Sequence, residues 1–115
     1  MTNKFHLFGI AMILASSLFS GLALAKEEHT SAALEHATAA AAATDAAGVS
    51  AHATEALKHT VAAKTAHAPH PDVIQHITDS EIHLKAAVDT ALSGDAAGAA
   101  KHASVAKMHL EAADK

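Results

Sequence analysis

The chain has no cysteine, tryptophan, tyrosine or arginine, and each absence removes a class of protein. Without cysteine there is no disulfide, no thiolate metal site, no lipoprotein anchor and no C-x-x-C-H haem attachment. The three phenylalanines all lie within the segment 1–25. Outside that segment there is therefore no aromatic ring of Phe, Tyr or Trp on which a nucleic-acid base could stack. Twelve acidic residues also outnumber eight basic ones, which leaves no positive patch to neutralise phosphates.

Recognisable catalytic motifs are missing as well. No acidic residue is followed by histidine at the third position, as the Glu-x-x-His pairs of di-iron bundles require. The metalloprotease motif H-E-x-x-H does not occur, and there is neither a glycine-rich phosphate loop nor a nucleophile with a positioned base. We therefore do not expect an enzyme.

The segment 1–25 has the layout of a secretory signal peptide. Lys4 is followed by the apolar run LFGIAMILASSLF and by the small-x-small site Ala23-Leu24-Ala25 before the charged KEE. We predict cleavage after Ala25, export from the cytoplasm and no membrane attachment afterwards. The alternative is an uncleaved anchor, since the uncharged stretch 7–25 is nearly long enough to span a bilayer.

The remaining residues, 26–115, form one small domain with little core-building material. They contain 28 alanines but only 14 valines, isoleucines, leucines and methionines. Alanine favours helix but buries little apolar surface. Small domains with thin cores usually need disulfides, metal or oligomerisation for stability, and disulfides are excluded here.

The pattern of residues 26–115 predicts an all-α fold. Strand signals are absent, and helix breaks are indicated at Thr44-Asp45, at the proline-containing HAPHPD of 67–72, and at Ser93-Gly94-Asp95. The predicted helices cover 28–43, 45–66, 71–92 and 95–113.

Internal duplication suggests how the helices are arranged. DAAGVSAH at 45–52 matches DAAGAAKH at 95–102, so helices 1–2 and 3–4 read as duplicated hairpins. Short connections make neighbouring helices antiparallel, which predicts an up-down-up-down four-helix bundle. The alternative is a loose, partly disordered helical chain, because the hydrophobic content is low.

A histidine repeat is the strongest feature of the sequence. The pattern H-x-[ST]-x-[AS]-x-x-H-x-x-A-A occurs four times, and its histidines are His29, His36, His52, His59, His76, His83, His102 and His109. Seven residues turn an α-helix through about 700°, so both histidines of a repeat share one face. If the residue after each histidine is buried, the histidines lie at the edge of the buried stripe.

That position suits metal ligands shared between helices. A spacing of seven is too wide for one helix to chelate an ion alone, so we expect one histidine from each of two helices, with carboxylate or water completing the coordination. Glu55 and Asp79 lie between the histidines of repeats 2 and 3 and are candidate auxiliary ligands. His67 and His70 form a further candidate pair, or else a capping and turn pair. The bland alternative is that duplication copied solvated imidazoles with no ligand role.

Ligand type narrows the choice of ion. Imidazole and carboxylate without thiolate suit Cu(II), Ni(II) and Zn(II), with affinity highest for copper. Two other functions remain open: a pH-responsive structural or interaction protein of the cell envelope, and a metallochaperone that delivers copper to a partner.

The H-x6-H repeats behind a signal-like segment, together with EALKH, AHAPHPDV and KHASVAKMHLEAA, resemble the small metal-binding protein family. The resemblance covers residues 26–115. It implies a periplasmic, monomeric four-helix bundle that binds several divalent or trivalent ions, copper prominently, in metal storage, buffering or detoxification. Alanine in positions that carry charge in other members, notably in AAAAATDAA, implies fewer or weaker ions here.

Overall fold

A computed structural model describes residues 24–67 and 70–115, with side chains described from residue 28 onwards. Within these ranges the chain forms four α-helices and no strand. They are α1 (Leu24–Ala42), α2 (Ala46–Ala66), α3 (Pro71–Leu92) and α4 (Ala96–Ala113). The prediction of an all-α, four-helix fold is confirmed.

The helices begin and end where the sequence signals indicate. Asp45 and Asp95 are the N-caps of α2 and α4, and each side chain accepts a hydrogen bond from the backbone N–H of the glycine three residues later. For Gly48, an added Cβ would lie 2.7 Å from the capping oxygen of Asp45, so the repeated DAAG sequence leaves room for the cap. Gly94 follows α3 with φ of 91°, a left-handed conformation that ends the helix cheaply only for glycine.

Three helices match the predicted bounds to within one residue, and α1 does not. It begins at Leu24 instead of residue 28, because the helix-favouring sequence continues backwards through Ala25 and the charged KEE. The predicted signal peptide otherwise lies outside the described residues, so both its cleavage and the anchor alternative stay untested. None of the described helices is long and apolar enough to cross a membrane.

Alanine dominates the buried residues. Twelve alanines are buried, and the largest fully buried apolar side chains are only Ile77, Leu84, Leu110 and Val49. Small side chains allow helices to approach closely, but each removes little apolar surface from water. The buried hydroxyls of Thr60 and Ser80 donate to backbone oxygens of their own helices at 2.7 Å, so they do not cost the fold an unsatisfied donor.

Contacts between helices indicate their relative directions. Ala63 near the end of α2, Ile77 near the start of α3 and Ala113 at the end of α4 belong to one small buried cluster. We infer that α3 runs against both of its neighbours in sequence.

An ion-pair network joins the two hairpins. The ammonium groups of Lys64 on α2 and Lys85 on α3 donate to the Glu81 carboxylate at 2.7 and 2.9 Å. Hydrogen bonds from Lys64 and Lys85 lower the pKa of Glu81. These bonds connect α2 to α3, which the histidine contacts described below do not.

Candidate metal centre

All eight repeat histidines lie at the edge of the core. Each is half-buried, and the residue after each of them is buried, namely Thr30, Ala37, Ala53, Thr60, Ile77, Leu84, Ala103 and Leu110. The predicted buried stripe is therefore confirmed at all eight positions. Since these following residues face the core, each imidazole lies about 100° around its helix, towards a neighbouring helix.

In the first hairpin the four rings alternate between α1 and α2. Ring centroids are 5.6 Å apart for His29 and His59, 5.7 Å for His59 and His36, and 5.8 Å for His36 and His52. The Nδ1 atoms of His29 and His59 are 3.3 Å apart and share a hydrogen bond. We call these four residues the α1–α2 ladder. The earlier histidine of α1 contacts the later histidine of α2, and the later one of α1 contacts the earlier one of α2, as expected for antiparallel helices.

The second hairpin repeats this arrangement. Ring centroids are 6.0 Å apart for His76 and His109, 5.7 Å for His109 and His83, and 6.0 Å for His83 and His102. We call these four residues the α3–α4 ladder. Here the first pair has no matching hydrogen bond: Nδ1 of His76 is shielded from water and has no hydrogen-bond partner among the described residues. A buried polar atom without a partner is uncommon in proteins.

The environment of His59 favours the neutral imidazole. Burial lowers the pKa of His59, and the nearby rings of His36 and His29 lower it further. A neutral ring has a free nitrogen lone pair, which is the form that binds a metal ion. The crowding of the α1–α2 ladder therefore reduces competition from protons at this ring.

The two candidate carboxylates are placed differently. A hydrogen bond from Lys58 is the main cause of the lowered pKa of Glu55. The nearby rings of His36 and His59, in the α1–α2 ladder, lower that pKa further. The Lys58 ammonium lies 2.7 Å from the Glu55 carboxylate. Asp79 is half-buried on α3, and it takes part in none of the ion pairs of the described residues. Within the described part of the chain, neither carboxylate forms a hydrogen bond or ion pair with a histidine.

His67 and His70 contact each other and have no ring contact with either ladder in the described part of the chain. Their ring centroids are 6.4 Å apart in an edge-on arrangement, and Nε2 of His67 lies 3.2 Å from the hydroxyl of Thr30 on α1. His67 is the C-cap of α2, and His70 is the N-cap of α3 without a side-chain capping bond. These are the capping positions that the sequence offered as an alternative to a ligand role.

The ladders offer an ion two imidazoles at a time. No group of three histidine, aspartate or glutamate side chains is gathered for metal binding among residues 24–67 and 70–115. A transition-metal ion usually takes four or more ligands, so water or a carboxylate must complete the coordination of a histidine pair.

Two features of the site were missed in the sequence. The inner rings of each ladder touch two partners, so histidines that the repeat presents as pairs form a continuous row. Lys58 also occupies the carboxylate of Glu55. The i, i+3 spacing of these two residues signalled that contact, whereas the sharing of rings depends on the separation and stagger of helices, which no repeat spacing specifies.

Comparison with known proteins agrees with the geometry. A family model described as "Small metal-binding protein" matches residues 2–113, nearly the entire chain. No curated protein and no solved structure matches the chain.

Proposed function

The chain belongs to the small metal-binding protein family, and from that premise we propose that it binds transition-metal ions through its two histidine ladders. One observation carries this proposal: eight half-buried histidines from four helices meet in two rows across helix–helix edges. Half-burial orients the rings while leaving them open to solutes. Copies of a histidine without a role would not need to meet rings from another helix.

The types of ligand atom in the ladders favour transition-metal ions of intermediate softness. Imidazoles with a nearby carboxylate and no thiolate suit Cu(II), Ni(II) and Zn(II), and the affinity order along this series peaks at copper. We propose Cu(II) as the preferred ion. Glu55, Asp79 and water complete its coordination.

The absence of a gathered, rigid site in the described part of the chain supports buffering or storage over catalysis. Catalytic metal sites hold the ion with about three protein ligands and keep one position for substrate, whereas each histidine pair supplies two ligands and leaves several positions to water. Such open sites suit a protein that holds excess metal and releases it. The signal-like segment 1–25 supports a periplasmic location.

A Cu(II) titration tests this function. Calorimetry at pH 7.5, with protein concentration from amino-acid analysis since tryptophan and tyrosine are absent, should show saturable binding of more than one ion. A variant with all eight repeat histidines changed to glutamine keeps helix-compatible polar side chains and should lose that binding. Equal, unsaturable binding to both proteins would reject the proposal.

The pH-responsive role is the second candidate, and the lowered pKa of His59 favours it. Rings that charge together as the pH falls would repel one another and loosen the hairpins. A metal titration at constant pH separates the two functions. Histidines that act as ligands give saturable metal binding at pH 7.5. A purely pH-responsive chain changes structure with acid and shows no saturable binding of copper.

A further inference from the structure

The two ladders differ in the residues that surround them, although their hairpins are duplicated. The repeats of α2 and α4 are aligned fifty residues apart, which matches Glu55 with Val105 and Lys58 with Met108. The ladders therefore present the same imidazoles with different neighbours. What distinguishes them as ligands is which nitrogen and oxygen atoms are already occupied.

The nitrogen atoms are occupied in one ladder and available in the other. In the α1–α2 ladder, Nδ1 of His29 shares a hydrogen bond with Nδ1 of His59, and this bond must break before either atom binds an ion. In the α3–α4 ladder, Nδ1 of His76 is buried beside the ring of His109, and no described residue forms a hydrogen bond with it. An ion bound there replaces no existing bond and satisfies a polar atom that otherwise lacks a partner.

The carboxylates show the same contrast. Glu55 is held by the ammonium of Lys58 at 2.7 Å, so its carboxylate must leave that ammonium before it can bind an ion. Asp79, three residues after His76, has no ion-pair partner among the described residues. It can turn towards an ion without leaving a cation behind.

Net charge acts in the opposite direction, but more weakly. Glu28 and Glu35 precede histidines of the α1–α2 ladder, and Lys101 precedes His102 in the other. Glu35 and Lys101 are exposed, so water and salt screen their effect. Lys101 also lies at the far end of its ladder, about two helical turns from His109. Directly bound atoms outweigh these charges.

We propose, on the premise that the ladders bind metal, that the α3–α4 ladder takes the first ion, at His76 and His109 with Asp79. The α1–α2 ladder fills only at higher metal concentration, because Lys58 holds Glu55 and the first pair of rings is already hydrogen-bonded. Two unequal ladders spread uptake over a wider range of metal concentration than two equal ones. A buffer built in this way releases ions from the α1–α2 ladder before the other.

Sub-stoichiometric Cu(II) tests the order directly. Bound Cu(II) is paramagnetic and broadens the NMR signals of the imidazoles that bind it. At a fraction of one equivalent, we expect the ring signals of His76 and His109 to disappear before those of His29 and His59. Earlier loss of the His29 and His59 signals overturns the proposed order and leaves the proposed function intact. If no ring signal broadens at saturating Cu(II), the ladders are not ligands and both proposals fail.

Matched variants give a second readout by calorimetry. His76→Gln should weaken the first binding step roughly 10- to 100-fold, a range that removal of even an outer-shell partner produces at metal sites. His29→Gln removes the corresponding ring of the other hairpin and should leave that step unchanged. Loss of the first step in His29→Gln, with His76→Gln unaffected, overturns the proposal.

The residues that differ between the ladders supply the final controls. Lys58→Met gives α2 the residue that α4 has at the same position and should strengthen the weaker step, because Glu55 is released. Met108→Lys places a lysine at the matching exposed position of α4, where Val105 offers no carboxylate to hold, and should change the first step little. Both changes are on helix surfaces, and circular dichroism checks that the helices remain intact. An unaltered weaker step in Lys58→Met would overturn the role assigned to Lys58.

Discussion

Acid should unfold this protein in the histidine range of pH, well above the pH at which most carboxylates titrate. In each ladder, neighbouring rings lie 5.6–6.0 Å apart, and each inner ring touches two others. Protonating a ladder places like charges at these separations. The perturbation is a shift from pH 7.5 to pH 5 in the presence of a chelator.

The distances set the size of the effect. Two unit charges 5.7 Å apart repel by about 0.7 kcal/mol in water and by about 3 kcal/mol at an effective dielectric constant of 20. At His59, which lies against the rings of both His29 and His36, two such repulsions give roughly 1–6 kcal/mol, compared with about 5–15 kcal/mol for the total stability of a typical domain. Because the core here is mainly alanine, we expect the charged ladders to unfold or loosen the bundle.

The lowered pKa of His59 determines the direction in which stability changes with pH. Burial, and then the rings of His36 and His29, lower the pKa of His59 in the folded protein, so the unfolded chain takes up a proton more readily. Its contribution to stability is complete above the usual imidazole pKa of about 6.5 and is lost as the pH falls below that value. Glu55 carries the opposite charge beside this ladder and offsets part of the repulsion, but Lys58 neutralises it.

Circular dichroism at 222 nm across pH 4–8 measures the transition. We expect loss of helix or of thermal stability between about pH 6.5 and pH 5, and a variant with glutamine at all eight ladder positions should keep its helix through that range. The reasoning is refuted if the wild-type chain keeps full stability to pH 4.5, or if the glutamine variant unfolds at the same pH.

Three further predictions concern the scaffold and are measured by chemical denaturation. Leu84→Ala should cost about 2–5 kcal/mol, since this fully buried side chain is among the few large ones in the core, and a cost below about 1 kcal/mol would contradict that role. Asp45→Ala removes the 2.6 Å capping bond to Gly48 and should cost about 0.5–2 kcal/mol; no change would mean that water replaces the cap. Glu81→Gln breaks the ion pair with Lys64 and should cost about 1 kcal/mol at pH 7. In the variant with glutamine at all eight ladder positions, which should stay folded in acid, this difference should be lost as the pH falls through the lowered pKa of Glu81, and a difference that persisted below it would point to packing instead.

Much of the fold follows from local signals in the sequence. Asp45, Gly94, Asp95 and Pro71 mark helix ends through capping and backbone geometry, which act over a few residues. The buried stripe follows as well, because residues seven apart share a helix face. The early start of α1 at Leu24 had no such signal, since KEE is as compatible with helix as with a free segment.

The candidate site was predictable only in part. Spacing indicated that histidines lie at the edge of the core and meet rings from another helix, and the ladders agree with that expectation. Which atoms pair depends on helix separation and side-chain rotation. Helix separation and side-chain rotation determine that Nδ1 of His29 has a hydrogen-bond partner while Nδ1 of His76 has none among the described residues. Whether these rings, Glu55, Asp79, His67 or His70 bind metal stays a prediction.

The most direct test of the account is to identify the atoms bound to copper. Pulsed electron paramagnetic resonance on the Cu(II)-loaded chain at pH 7.5 detects imidazole nitrogen through its nuclear coupling, and ¹⁵N-labelled histidine confirms the source. We predict coupling to two imidazoles per ion, and loss of one when a single ladder histidine such as His109 is changed to glutamine. A spectrum without imidazole coupling, unchanged by glutamine at all eight positions, would contradict the claim that the ladders hold the metal.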